Sequence, residues 1–168
     1  MTAIQQNVTE ESVREALLDV MDPEIPNLSI VDLGIVRKVS VGDSAIEVEL
    51  LPTFVGCPAL EVMKESVQER LHELAPDLDI NVKVTLEETW TTDRISDRGR
   101  EVLKSSGFAP PQRTPQGKLN LVQLMPVSEC PYCGSRKTVM ENVFGPTLCR
   151  AIYYCTSCRQ PFEQFKQV

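Results

Sequence analysis

A chain of 168 residues with 42% hydrophobic side chains has room for one ordinary domain, or for a medium domain and a small module. It contains no run of about 18 apolar residues, so no transmembrane helix and no membrane partner is expected. The net charge of −7 is uneven: residues 1–108 carry 10 Lys+Arg against 21 Asp+Glu, and residues 109–168 carry 7 against 3. An acidic first part repels phosphate backbones and the basic tail has no dense Lys/Arg run, so nucleic acid is not an expected partner either.

The first residues show neither a basic nor an apolar signal segment, and the expected location is cytoplasmic. There, cysteines stay reduced and more often bind metal than form disulfides. Thr9 to Met21 reads as a helix, with Val13, Ala16, Leu17, Val20 and Met21 at helical spacing and an acidic first turn behind Thr9. Pro23, Pro26 and Gly34 then mark a loop. Two β-branched runs around Gly42-Asp43 predict a hairpin, and Ile46, Val48 and Leu50 alternate with Glu47 and Glu49.

Pro58 to Leu74 is the best-patterned helix, with Leu60, Met63, Val67, Leu71 and Leu74 in one stripe. Ile80, Val82, Val84 and Leu86 predict a strand with one apolar face, and Ser96 to Ser106 a shorter helix ending at Gly107. The strand–helix–strand order makes the second and third strands a parallel pair. The expected fold is α+β, an α/β sandwich with a small three-stranded mixed sheet, followed by a zinc-ribbon β module. Domain boundaries are expected at 9–108, with a proline-rich linker at 109–120 and the ribbon at 121–168.

The ribbon expectation rests on Cys130-Pro131-Tyr132-Cys133 and Cys155-Thr156-Ser157-Cys158. Two CxxC turns present four sulfurs to one point, the donor set of a closed tetrahedral zinc site. Such a site has no open coordination position and is structural rather than catalytic. Redox dithiols or disulfides are the alternatives. Cys149 is left over, either a small packing residue on a ribbon strand or a reactive or cluster-binding thiol. The lone histidine, His72, lies off the apolar stripe and has no assigned role.

The stretch "TFVGCPALE" sets a single cysteine, Cys57, before the best helix. Pro58 suits a helix start, Gly56 permits an unusual backbone angle, and the N–H groups of a helix end favour a negatively charged sulfur. A reactive or metal-binding thiol and a small buried cysteine filling a tight turn are both compatible with these residues.

"DPEIPNLSIVDLGIV" and "TFVGCPALEVM" together resemble the iron–sulfur assembly factor family that includes SufT-type proteins and eukaryotic cytosolic assembly components. "TWTTDRISDRGREVLKSSGFAPPQ", "FGPTLC" and "CTSCRQPFEQF" extend the resemblance to the branch associated with phenylacetate degradation and the phenylacetyl-CoA epoxidase, with Arg94 as a local departure. The resemblance implies an accessory maturation factor rather than an enzyme, with a transient iron–sulfur cluster as cargo. It implies Cys57 and Asp22 in cluster binding or transfer, and Thr53, Gly56 and Pro58 in the loop that shapes the site. Asp32, in the VDLG motif, has a turn or capping role as its alternative. The expected partners are the epoxidase reductase or its di-iron oxygenase subunit, and a second copy in a homodimer. A non-catalytic epoxidase subunit, a zinc-ribbon adaptor, and an enzyme with Cys57 as nucleophile are the other readings. The last lacks a base, since His72 is about four turns along the same helix.

Overall fold

The computed structural model describes residues 8–25, 27–113 and 127–166. Residues 1–7, 26, 114–126 and 167–168 lie outside them, and part of the expected linker and the start of the expected ribbon fall there. The chain divides into two compact units between Thr89 and Trp90.

In the first unit, α1 spans Glu10–Ala16. Thr9 caps it reciprocally with Ser12, satisfying two otherwise orphaned N–H groups. A 3-10 turn, Leu17–Asp19, carries the chain on, and Val13, Ala16 and Leu17 are buried. Strands β1 (Val36–Val41) and β2 (Ala45–Leu50) form the expected antiparallel hairpin, with a bulge between Val36 and Lys38. Strand β3 (Asp79–Val84) runs parallel to β2, and the sheet order is β1-β2-β3. Ile46, Val48 and Leu50 of the central strand are fully buried, as their alternation requires.

Helix α2 spans Ala59–Leu74 and packs on β3 and α1. Its buried face is Ala59, Met63, Val67 and Leu71, each four residues from the next. Leu60 and Leu74, expected on that stripe, are half-buried at its margins. Leu86 also departs from expectation: it lies beyond the end of β3 and is 67% exposed. The alternation continues past the point where the strand has a neighbour to pack against.

In the second unit, α3 spans Asp97–Ser105, capped by Ser96, which accepts from the Gly99 N–H at 2.9 Å. A four-stranded sheet follows in the order β4-β7-β6-β5: β4 (Phe108–Ala109), β5 (Thr138–Asn142), β6 (Arg150–Cys155) and β7 (Pro161–Phe165). Strands β5 and β6 form an antiparallel hairpin; β7 pairs antiparallel with β6, and β4 parallel with β7. Tyr153, Phe162, Ala109 and Ala151 form a small core with Cys130 and Cys155. Trp90 packs on Phe165, their ring centroids 5.8 Å apart. Among the described residues, no helix is long and apolar enough to cross a membrane.

Candidate metal centre and the cysteine loop

The two CxxC segments fold into matching knuckles. The Cys130 N–H donates to the Ser135 carbonyl at 2.9 Å, and the Gly134 N–H returns to the Cys130 carbonyl at 2.9 Å. In the second knuckle the Cys155 N–H donates to the Gln160 carbonyl at 3.0 Å, and the Arg159 N–H to the Cys155 carbonyl at 2.8 Å. Both turns need a left-handed residue at the same place. Gly134 supplies it at φ 71°, and Arg159 adopts it at φ 60° despite its side chain. The knuckles are tied together by Ser135 Oγ and Ser157 Oγ at 2.8 Å, and by Thr156, whose N–H and hydroxyl both donate to the Lys137 carbonyl at 2.9 Å. The sequence does not single out these serines and the threonine, because there they look like ordinary polar loop residues.

The four sulfurs of Cys130, Cys133, Cys155 and Cys158 all lie within 4.8 Å of one another. The closest pairs, Cys130–Cys158 and Cys133–Cys155, are 3.6 Å apart. A zinc–sulfur distance of about 2.3 Å in a tetrahedron sets sulfurs about 3.8 Å apart, so the donor set fits a zinc ion. The crowding also acts on the thiols. N–H donation from Cys158 and then Ser157 draws Cys155 down to about 6 against its burial. Burial, then the neighbouring thiols, pushes Cys158 up to about 12. The Ser135 N–H favours a Cys133 thiolate, but burial and the adjacent Cys155 and Cys130 outweigh it and raise its pKa. Without a cation the four sulfurs cannot all be charged; with one they can. Cys130 and Cys155 are buried, whereas Cys133 is exposed.

Cys149 is outside this group. It is half-buried in the turn just before β6, with its sulfur 3.1 Å from Thr147 Oγ1. Its backbone carbonyl receives the Lys166 N–H at 2.8 Å.

In the first unit, Thr53, Gly56, Cys57 and Pro58 share the loop between β2 and α2. Gly56 takes φ 81°, and a side chain there would meet no atom within 4 Å, so its need for glycine is conformational rather than steric. The turn is closed by the Cys57 N–H to the Phe54 carbonyl and the Leu60 N–H to the Cys57 carbonyl, both at 3.2 Å. Pro58 is the N-cap, so the helix begins one position later than expected, and Pro58 offers no capping side chain. The helix end beside Cys57 is therefore not closed by its own cap residue. Cys57 and Thr53 are half-buried, Gly56 and Pro58 exposed, and Val55 is 80% exposed.

Asp22 lies in the loop after the 3-10 turn and is buried. Its Oδ1 accepts from the Glu24 N–H at 2.7 Å and the Ile25 N–H at 2.9 Å, so this carboxylate braces its own turn. Asp32 is also buried. His72 is exposed.

A family model described as "Iron-sulfur cluster assembly protein" matches residues 10–84, and one described as "PaaD zinc beta ribbon domain" matches residues 114–166. A protein of Escherichia coli (strain K12), provisionally named as a component of the 1,2-phenylacetyl-CoA epoxidase, is 38% identical over 152 residues, 89% of this chain and 88% of that one. The Fe-S protein maturation auxiliary factor SufT of Staphylococcus aureus (strain USA300) is 35% identical over 78 residues, 46% of this chain and 88% of that one. A solved domain of unknown function from Bacillus anthracis is 27% identical and covers 56% of this chain and 90% of its own, with a TM-score of 0.52.

Proposed function

We propose, from the premise that the chain belongs to the PaaD family, in which an iron–sulfur cluster assembly domain is joined to a zinc ribbon, that it is a non-catalytic maturation factor of the phenylacetyl-CoA epoxidase system. Its task is to help assemble or insert iron–sulfur or iron centres. The clients are the reductase, with its iron–sulfur centre, or the di-iron oxygenase subunit. The observation that carries this reading is a separation of duties between cysteines. Four close on one another in the ribbon, while Cys57 belongs to the first unit, half-buried on an exposed loop at an uncapped helix start. Zinc held by Cys130, Cys133, Cys155 and Cys158 joins the two knuckles and leaves no open position for chemistry.

Cys57 is the contact for the cargo in this reading. One thiolate is a quarter of what a cluster usually takes, so the cargo is shared with another protein molecule and held weakly, which suits delivery. Thr53, Gly56 and Pro58 shape the loop that presents the sulfur, and Asp22 supports the site by holding its own loop. The work is done in the cytoplasm.

The test is metal and sulfide analysis of anaerobically purified protein, wild type beside Cys57→Ser. Zinc near one per chain in both, with iron and sulfide only in the wild type, is the expected result. Zinc in both and iron in neither, even after reconstitution, overturns it. The relative named as part of an epoxidase favours a second reading, a structural subunit or ribbon adaptor of the complex. That reading expects fixed stoichiometry with the active oxygenase and a dispensable Cys57.

A further inference from the structure

Strand β3 is an open edge. Among the described elements it packs only against β2 and α2. It runs six residues without proline or bulge. The opposite edge, β1, is guarded by its bulge and by Arg37 and Lys38, which discourage pairing. The apolar row of β3 is incompletely covered: Ile80, Val82 and Val84 are only half-buried, although Ile46, Val48 and Leu50 beside them are at 0%. Leu86 continues that row and is 67% exposed.

The charges on β3 state which partner fits. On its solvent face lie Asp79, Asn81 and Lys83, all exposed. An antiparallel copy of the same strand, centred on Asn81, sets each Asp79 opposite the other copy's Lys83 and each Ile80 opposite the other's Val82. Centring one residue further along, on Val82, sets Asn81 opposite Lys83 and loses both ion pairs. Lys83 already meets Glu49 at 3.1 Å but remains 60% exposed, with room for a second carboxylate.

The same register has a second consequence. Leu86 lies just past the C-terminal end of β3, and antiparallel pairing brings it towards the turn at Pro76 that precedes the other copy's strand. Pro76, Leu78 and Ile80 line a groove of about 450 Å³ together with the polar Gln68, Glu69, His72, Asp77 and Asp79, where α2 ends and β3 begins. An exposed leucine on one copy and the apolar side of the groove, formed by Pro76, Leu78 and Ile80, on the other are brought together twice by one two-fold axis.

We propose that β3 is the seam of a homodimer, in which two copies pair antiparallel about Asn81 and each Leu86 enters the groove beside the other copy's Pro76. The seam does not depend on the maturation reading or on any bound metal. It extends the sheet to six strands and removes its open edge.

Sedimentation of the full chain tests this, with Asp79→Lys and Lys83→Asp as variants. Each variant alone faces like charges at both pairs, and self-association weakens roughly tenfold to thirtyfold. Mixed, the two variants restore both attractions and form a one-to-one dimer. Asn81→Cys places two thiols on the axis, so mild oxidation links the copies through that position, whereas Asp79→Cys, displaced along the strand from its counterpart, does not link to itself. Peptide mapping separates this link from one through the native cysteines. A wild type that stays monomeric to ~100 μM at moderate salt overturns the proposal. So does a dimer that the charge variants leave unchanged, or an Asn81→Cys chain that links no more than Asp79→Cys. The cross-link comparison decides the question even where a charge variant folds poorly.

Discussion

Removing the Asp22 carboxylate separates a bracing role from a chemical one. Oδ1 accepts two backbone N–H groups, from Glu24 at 2.7 Å and Ile25 at 2.9 Å, and the Ile25 bond is buried. Asp22→Ala leaves both donors without that acceptor. Hydrogen bonds to a charged group contribute about 1.5–3 kcal/mol each, and partial access of water at Glu24 reduces the sum to about 2–4 kcal/mol. For a unit of this size that lowers Tm by roughly 10–20 °C. Asp22→Asn keeps an acceptor oxygen in the same place and costs less than about 1 kcal/mol, as at helix and turn caps. Urea and thermal melts of the first unit's circular dichroism read both variants. An alanine variant within about 0.5 kcal/mol of wild type would refute the bracing argument. An asparagine variant that folds normally yet fails to mature its client would give the charge a role in transfer.

Three further outcomes are expected. Trp90 is the only tryptophan, is 1% exposed, and packs at a tilt of 58° against Phe165 in the ribbon's unit. Stripping the metal with a chelator, or Cys155→Ser, therefore shifts its emission to the red, while the helical signal of α2 persists; unchanged emission in metal-free protein would show that the ribbon folds without its ion. Arg159→Gly relieves a left-handed residue in the second knuckle and stabilises it by roughly 0.5–1 kcal/mol, measured as slower metal release; faster release would count against the paired-knuckle description. The Glu49 carboxyl is held below its ordinary 4.5 by hydrogen bonds from Lys83 and then Arg37. A depressed folded pKa gives stability that is complete above the unfolded carboxylate range and is lost as pH falls through the folded value, so the first unit weakens on the acid side. Glu49→Gln should flatten that part of the stability–pH curve, and an unchanged acid limb would refute the assignment.

Much of this fold was legible locally. Thr9 and Ser96 announce helix starts, and each caps its helix by hydrogen bonds to residues three positions on. The alternation of Ile46, Val48 and Leu50 gave both the strand and its buried face, because side-chain direction repeats every two residues wherever a strand forms. The CxxC pairs gave the metal centre because each knuckle is a self-contained turn. The Gly-Cys-Pro stretch likewise marked the loop and helix start where Cys57 stands.

Other features were not local. Strand β4 has only two residues and β7 buries its residues without clean alternation, so periodicity registers neither; they exist because β6 offers β7 an edge and β7 offers one to β4. Leu86 has the same chemistry as the buried residues before it, yet nothing in the described chain covers it. Asp22 could be marked from the sequence as important, but only the folded loop shows its carboxylate turned onto Glu24 and Ile25. The sequence by itself determined the three helices, the first three strands and the two knuckles, since those depend on neighbours within a few residues. The tertiary structure decided which edges meet and which apolar residues stay uncovered, since those depend on chain segments that sequence spacing does not relate.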